Sequence, residues 1–239
     1  MRKWVPQFWS ARCWPVVACK ILVILRERRR TKMAYAILRV ERLKGKKDVD
    51  NATRHGHRVD GGTHYDPART PLNRHWLGAM RVAEPVDWGR AIEQAIRGQH
   101  LHVRANGAVA AELLLAASPD FFIDNDGQVY AEKLDRWVEA NLAWLRERFP
   151  EMALAARLDL DESAPHLAVL VLPTYVKRTK HTAARAVSYR KVFCGADKAA
   201  TAARMIALQD DYAAAMAPLG LQRGAPKAVT GREHLTHQQ

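Results

Sequence analysis

A chain of 239 residues, 48% hydrophobic and 26% charged, can bury one good core, or one core plus an appendage, and is not a fibrous or low-complexity protein. Its formal charge of +13 suggests a polyanionic partner, but residues 1–32 hold nine Lys/Arg against one acid and so carry most of that charge. The three cysteines (Cys13, Cys19, Cys194) form neither a metal spacing nor a disulfide framework, which fits a reducing cytoplasm.

Met1–Lys32 places Trp4, Trp9 and Trp14 before an apolar run, Val16–Leu25, that Lys20 interrupts. This run is too short and too charged to span a bilayer, and it has no small-residue cleavage site. We expect residues 1–32 to be a disordered leader or a mis-assigned start, with Met33 as the true beginning. A basic arm for DNA or a membrane surface is the alternative. The strand-like Ala34–Val40 follows, then Glu41–Asn51 as a charged, helix-compatible connector. Thr53–Gly78 is rich in His, Arg, Gly and Pro and reads as a functional loop. Asp87–Arg97 reads as a helix capped by Asp87 and ended by Gly98. Ala108–Ala116 is a buried strand, and Asp124-Asn125-Asp126-Gly127 a turn.

Between Tyr130 and Phe149, the residues Leu134, Trp137, Val138, Leu142, Leu145 and Phe149 recur at three- and four-residue steps, an amphipathic helix stopped by Pro150. Trp137 and Trp144 belong to its core face. Ala153–Leu160 and His166–Leu172 are strands on either side of an acidic turn. Thr174–Arg190 is a basic, mobile excursion, and Ala199–Ala217 a long Ala-rich helix ended by Pro218 and Gly220. The expected body, residues 33–224, is a single α+β domain with a mainly antiparallel sheet flanked by helices; residues 225–239 are a polar tail.

The acidic turn, Asp159-Leu160-Asp161-Glu162-Ser163-Ala164-Pro165-His166, is the most informative segment. Ionised groups beside a core are costly unless something pairs with them, and a cation is one such partner. Asp159, Glu162 and His166 converge if the turn folds back. Their oxygen and imidazole donors suit Mg²⁺ or Mn²⁺, with Zn²⁺ as a further option. The plainer reading is a solvated hairpin tip. The second constellation is Arg54-His55-Gly56-His57-Arg58, followed by His64-Tyr65-Asp66-Pro67-Ala68-Arg69 and Leu72-Asn73. Its histidines can act as nucleophile, base or ligand, and Arg54, Arg58 and Arg69 offer planar forks for phosphate. A solvated basic loop is the alternative. Lys177, Arg178 and Lys180 in the later basic segment are candidates for tracking a DNA backbone, or a solubilising loop.

In this order, the segments resemble the Pre/Mob family of plasmid mobilisation and recombination relaxases. His55 and Arg58 are similar to its first motif, with Gly56 at the usual asparagine. Asp66-Pro67-Ala68-Arg69 with Leu72-Asn73, Ser118-Pro119-Asp120-Phe121-Phe122, and the stretch from Gln209 to His234 carry further likeness. The third motif, His-x-Asp-Glu-x-x-Pro-His-x-His, matches at Asp161, Glu162, Pro165 and His166.

The resemblance implies a relaxase related to the His-hydrophobic-His endonucleases. Such an enzyme nicks and rejoins one strand of plasmid origin-of-transfer DNA, single-stranded or supercoiled, through a covalent protein–DNA link. It implies His55 as nucleophile, Tyr65 as the fallback nucleophile, Arg58 on the scissile phosphate and Asn73 orienting the loop or touching DNA. A divalent metal, Mn²⁺ or Mg²⁺, would polarise that phosphate from Glu162, His166 and Asp159. A homodimer and a missing C-terminal region are further implications. The chain departs from the pattern at the metal motif: Asp159 stands at the first histidine and Ala168 at the last. Hence a second expectation, a catalytically impaired relaxase-fold DNA-binding protein or truncated remnant.

Overall fold

The computed structural model describes residues 33–104, 107–123 and 129–225; the expected leader, the 124–127 turn and the tail beyond residue 225 lie outside the described residues. In chain order the elements are β1 (Ala34–Leu43), α1 (Lys46–Gly56), β2 (Arg74–Leu77), β3 (Met80–Val82), α2 (Trp88–Gly98), β4 (Ala110–Ala117) and α3 (Ala131–Arg148). They continue with β5 (Ala153–Asp159), β6 (His166–Val171), β7 (Thr174–Arg178), β8 (Ala183–Val187), α4 (Tyr189–Phe193), α5 (Lys198–Met216) and β9 (Leu221–Arg223). Among the described residues, seven strands form one sheet in the order β3-β2-β5-β6-β4-β1-β9. All neighbours pair antiparallel except β1 and β9.

The central strands read as near-continuous apolar runs because both faces of the sheet are covered. On one face Leu113, Leu115, Leu158, Leu167, Val169 and Val171 are fully buried against α3 and α5, through Trp137, Leu145, Tyr212 and Met216. A fully buried Leu or Phe contributes about 1.5–3 kcal/mol, so this layer dominates stability. On the other face Ala155, Ala168 and Leu170 pack against Val49 of α1 and Trp88, Ala91 and Ile92 of α2. The second layer covers only part of that face. Where α1 ends, the sheet is left open toward polar side chains.

Local signals set several ends. Asp87 caps α2 by accepting from the Arg90 N–H at 2.9 Å, and Asp197 caps α5 through the Ala200 N–H at 2.8 Å. Gly220 takes the left-handed conformation (φ 83°) after the turn that follows α5. Trp137 and Trp144 are buried, as their helical spacing requires. No described helix is long and apolar enough to cross a membrane.

Three expectations are corrected. Residues 53–78 are not loop throughout: α1 runs to Gly56 and β2 begins at Arg74, so His55 sits on the last turn of a helix. The connector Glu41–Asn51 is helical from Lys46, as expected, but its first residues are strand, because β1 extends to Leu43. The segment from Thr174 to Arg190 is a two-stranded β7–β8 hairpin leading into α4, its strands held in register from Thr174↔Val187 to Arg178↔Ala183. Charge density hid the alternation that pairs them.

Candidate active site

Strand register builds the floor of the site. Antiparallel pairing of β5 with β6 sets Asp159 opposite His166 and Arg157 opposite Ala168, while β6 with β4 sets His166 opposite Ala116 and Leu170 opposite Glu112. Side chains two apart share a face, so Arg157, Asp159, His166, Ala168 and Glu112 all point to the side that α1 and α2 only partly cover. There Arg157, His166, Ala168 and Glu112 line a groove of about 560 Å³ together with His55, His64 and Glu162, with Asp159 fully buried beside it.

Helix α1 delivers His55 over this floor. Beyond its C-terminus the chain reverses: Val59 N–H donates to the Arg54 carbonyl and Arg58 N–H to that of His55, both at 3.0 Å. The reversal puts Arg58 at φ 57°, a left-handed conformation that costs a non-glycine residue roughly 1–2 kcal/mol. Its side chain holds it there. Arg58 Nε donates to Asp161 Oδ2 at 2.9 Å, Nη2 to Asp159 at 2.8 Å and again to Asp161, and Nη1 to the His55 carbonyl at 3.0 Å. Nη2 also lies 3.3 Å from Glu162.

His55 is braced on both ring nitrogens. Nδ1 is 3.0 Å from Asp60 Oδ2, and Nε2 is 3.1 Å from Glu162 Oε1 and 3.1 Å from Arg58 Nη1. The Glu162 bond is the largest influence on the imidazole and, with Asp60, raises its pKa above 6.5 against the opposing effects of burial and Arg157. The His64 ring stacks on it at 5.2 Å. Burial opposes charge on Asp159, but Arg157, His166 and Arg58 outweigh it and hold the carboxyl well below the usual range. Burial likewise opposes charge on Glu162, and its bond to His55 with the nearby His166 lowers its pKa. His166 Nδ1 lies 3.0 Å from the Ala164 carbonyl, turning Nε2 toward Asp159 at 3.3 Å.

The expected donors therefore do converge. Single donor atoms of Asp159, Glu162 and His166 all lie within 4.8 Å of one another, as do those of His55, His64 and Glu162. His57, exposed, and His75, buried beside Arg157 in the β2–β5 register, belong to neither group. Asn73 faces the acidic turn, where its Oδ1 accepts from the Leu160 N–H at 2.7 Å. Tyr65 is turned away: its hydroxyl donates to the Arg58 carbonyl at 3.1 Å, and desolvation with the Asp60 carboxylate pushes its pKa up. Arg54 is exposed and donates to the Val59 carbonyl at 2.9 Å; Arg69 is half-buried ahead of the Thr70–Leu72 turn. Lys177, Arg178 and Lys180 are exposed on the β7–β8 hairpin.

Sequence reasoning missed Asp60, Glu112 and Arg157 as parts of this site, and gave no role to Asp161 and Thr70 within the segments it singled out. Thr70 Oγ1 donates to Asp161 Oδ2 at 2.7 Å, and Asp66 N–H to the Asp161 carbonyl at 2.7 Å, so the Asp66–Asn73 strap fastens the acidic turn. For Arg157 a signal existed. It stands two residues before Asp159 in an otherwise apolar strand, and period two puts both on one face.

Comparison with known proteins gives the family and the fold. A family model described as plasmid recombination enzyme (Mob_Pre) matches residues 32–239. The chain is 31% identical over 191 residues to the 65 kDa protein of Zymomonas mobilis, covering 80% of this chain and 30% of that one. It is 25% identical over 208 residues to plasmid recombination enzyme type 1 of Staphylococcus aureus, covering 84% and 47%. The chain thus spans less than half the length of each of these relatives.

Among solved structures, the Mn-bound MobM relaxase domain with plasmid pMV158 oriT DNA superposes with a TM-score of 0.63 at 20% identity, covering 84% of this chain and 95% of that one. A second MobM relaxase domain complex, with 26-nucleotide oriT DNA, gives 0.51 at 16% identity, covering 84% and 97%. The α+β architecture with its mainly antiparallel sheet is that of a relaxase domain. By the extent of the family match and the order of its motifs along one fold, this chain belongs to the plasmid recombination enzyme (Pre/Mob) family.

Proposed function

We propose that this chain is the relaxase domain of a plasmid mobilisation and recombination protein, nicking and rejoining one strand of origin-of-transfer DNA. One observation carries the reading: His55 Nε2 lies 3.1 Å from Glu162, on the groove that Asp159 and His166 also line or adjoin. A nucleophile candidate and an anionic donor set meet at one phosphate-sized hollow. The MobM complexes, holding oriT DNA and Mn, support the same assignment.

In this reading the His55 imidazole attacks the scissile phosphorus, and the bond to the leaving 3′ oxygen breaks as a phosphoramidate forms. The neutral ring donates its Nδ1–H to Asp60 and so carries its lone pair on Nε2, the nitrogen that faces the groove. Asp60 takes that proton as the N–P bond forms, and the departing 3′ oxygen is protonated from solvent. Arg58 clamps the acids and steadies His55; Asn73 positions the acidic turn. Tyr65 is less suited as nucleophile, because its hydroxyl is bonded away and harder to ionise. Rejoining reverses the attack by the DNA hydroxyl.

The donor set fits a divalent cation. Asp159 and Glu162 are held anionic, and the Ala164 carbonyl leaves the Nε2 edge of His166 toward them. Two carboxylates and one imidazole favour Mn²⁺ or Mg²⁺, with water completing the sphere. Such an ion, when bound, would polarise the phosphate and offset charge developing on its oxygens.

The test is incubation of the chain with supercoiled plasmid carrying the cognate origin and Mn²⁺. Nicked product, lost in His55→Ala and on chelation, is the expected result. Because Ala168 offers no donor, a second reading is a relaxase-fold DNA-binding protein that does not cleave; specific binding without nicking would establish it and overturn the first.

A further inference from the structure

Arg157 lies in the floor of the groove and is only 4% exposed, yet it lines the opening. Its Nε donates to both oxygens of Asp159, at 2.8 and 2.9 Å. Its two Nη nitrogens donate to no group among the described residues. A buried guanidinium with its outer fork unused is an anion site already formed, since its charge is permanent and its donors are fixed in one plane.

The surroundings are shaped to it. Across the β5–β6 register the facing residue is Ala168, whose small side chain leaves the guanidinium its space. Above it runs Gly56, where any Cβ would collide with Arg157 Nη1. The Trp88 ring lies 5.9 Å from Cζ. Asp159 fixes the Nε edge, so the Nη edges cannot swing away to find other partners. Glu112, two strands away on β4, also lines the groove and makes no hydrogen bond or ion pair to the fork among the described residues.

We propose that Arg157 is a phosphate-binding residue of this groove, taking a DNA phosphate oxygen on its Nη fork whether or not a divalent ion is bound. The identity of the phosphate as DNA rests on the relaxase reading; the anion site itself does not. Asp159 thereby has two tasks, orienting the arginine and contributing to the donor set. Binding of the DNA strand would then survive chelation even where strand cleavage does not.

The probe is inorganic phosphate, titrated into the full chain in EDTA and followed through arginine side-chain NMR signals. Arg157→Lys, which keeps the charge beside Asp159, identifies the Arg157 signal by its loss; Arg157→Met is the second variant should the lysine form prove poorly folded. A saturable shift of the Arg157 signal in the parent, with phosphate affinity weakened roughly tenfold or more in either variant, is the expected result. No shift of that signal, or unchanged phosphate affinity in both variants, overturns the proposal. The plasmid assay separates the two claims. Nicking with an unresponsive Arg157 signal overturns this inference alone. A responsive signal in a chain that neither binds nor nicks origin DNA supports the phosphate site and overturns the relaxase reading.

Discussion

His55 and Glu162 stand 107 positions apart in sequence, yet Nε2 and Oε1 are 3.1 Å apart, and this contact sets the titration of the imidazole. The folded pKa is raised above 6.5, so the protonated form is favoured in the native state. That interaction stabilises the fold fully below pH 6.5 and is lost as pH rises through the folded pKa. Attack needs the neutral ring. Nicking should therefore rise with pH and level off only above the folded pKa. Asp60→Asn removes a raising partner and should move the limb of the pH–rate profile downward while lowering the plateau, because the Nδ1 acceptor is lost. A limb that stays in place would show that another group titrates.

Arg58 satisfies two buried carboxylates at once, Asp159 and Asp161. Truncating it to alanine leaves both without that partner, and breaking a buried pair costs about 3–5 kcal/mol. Arg58→Lys should recover only part, since a single ammonium cannot reproduce the fork. Urea unfolding of the two variants measures this directly, and equal loss in both would contradict the geometry.

Gly56, Ala168 and Arg157 form one packing unit. Gly56→Asn and Ala168→His should each destabilise the chain by about 1–3 kcal/mol through overpacking. Both penalties should shrink in an Arg157→Ala background. Thermal unfolding in a double-mutant cycle tests it; additive effects would mean that the three residues do not share a space.

Below the groove, Tyr212 and Asn141 give a control remote from the chemistry. Tyr212 Oη donates to Asn141 Oδ1 at 2.9 Å, and both residues are buried. Tyr212→Phe leaves that amide oxygen without a partner and should cost about 1–3 kcal/mol of stability while leaving nicking unchanged at permissive temperature.

The exposed β7–β8 hairpin carries Lys177, Arg178 and Lys180. If all three meet phosphates of a single strand, their joint replacement by alanine should flatten the slope of log affinity against log salt by about 2, at roughly 0.7 per contact. An unchanged slope assigns them to solubility.

The sequence alone determined the elements whose signal is local. Apolar spacing from Leu134 to Phe149 marked α3, Asp87 the cap of α2, and the apolar run after His166 a strand, whose period of two puts His166 and Ala168 on one face. It also brought Asp159, Glu162 and His166 under suspicion as a group, because acids beside two apolar runs demand a partner. Local reading failed where charge masked alternation, as in the β7–β8 hairpin, and where a helix carries few apolar residues, as in the last turn of α1 from Thr53, since the buried positions of that helix are Val49 and Gly56. Tertiary structure alone decided that His55 meets Asp60 and Glu162, that Tyr65 turns away, and that Arg157 lies beneath Gly56 and opposite Ala168. The reason is physical: periodicity reports which face of an element is apolar, whereas strand register and the reversal at Arg58 fix which distant side chains share one low-dielectric hollow.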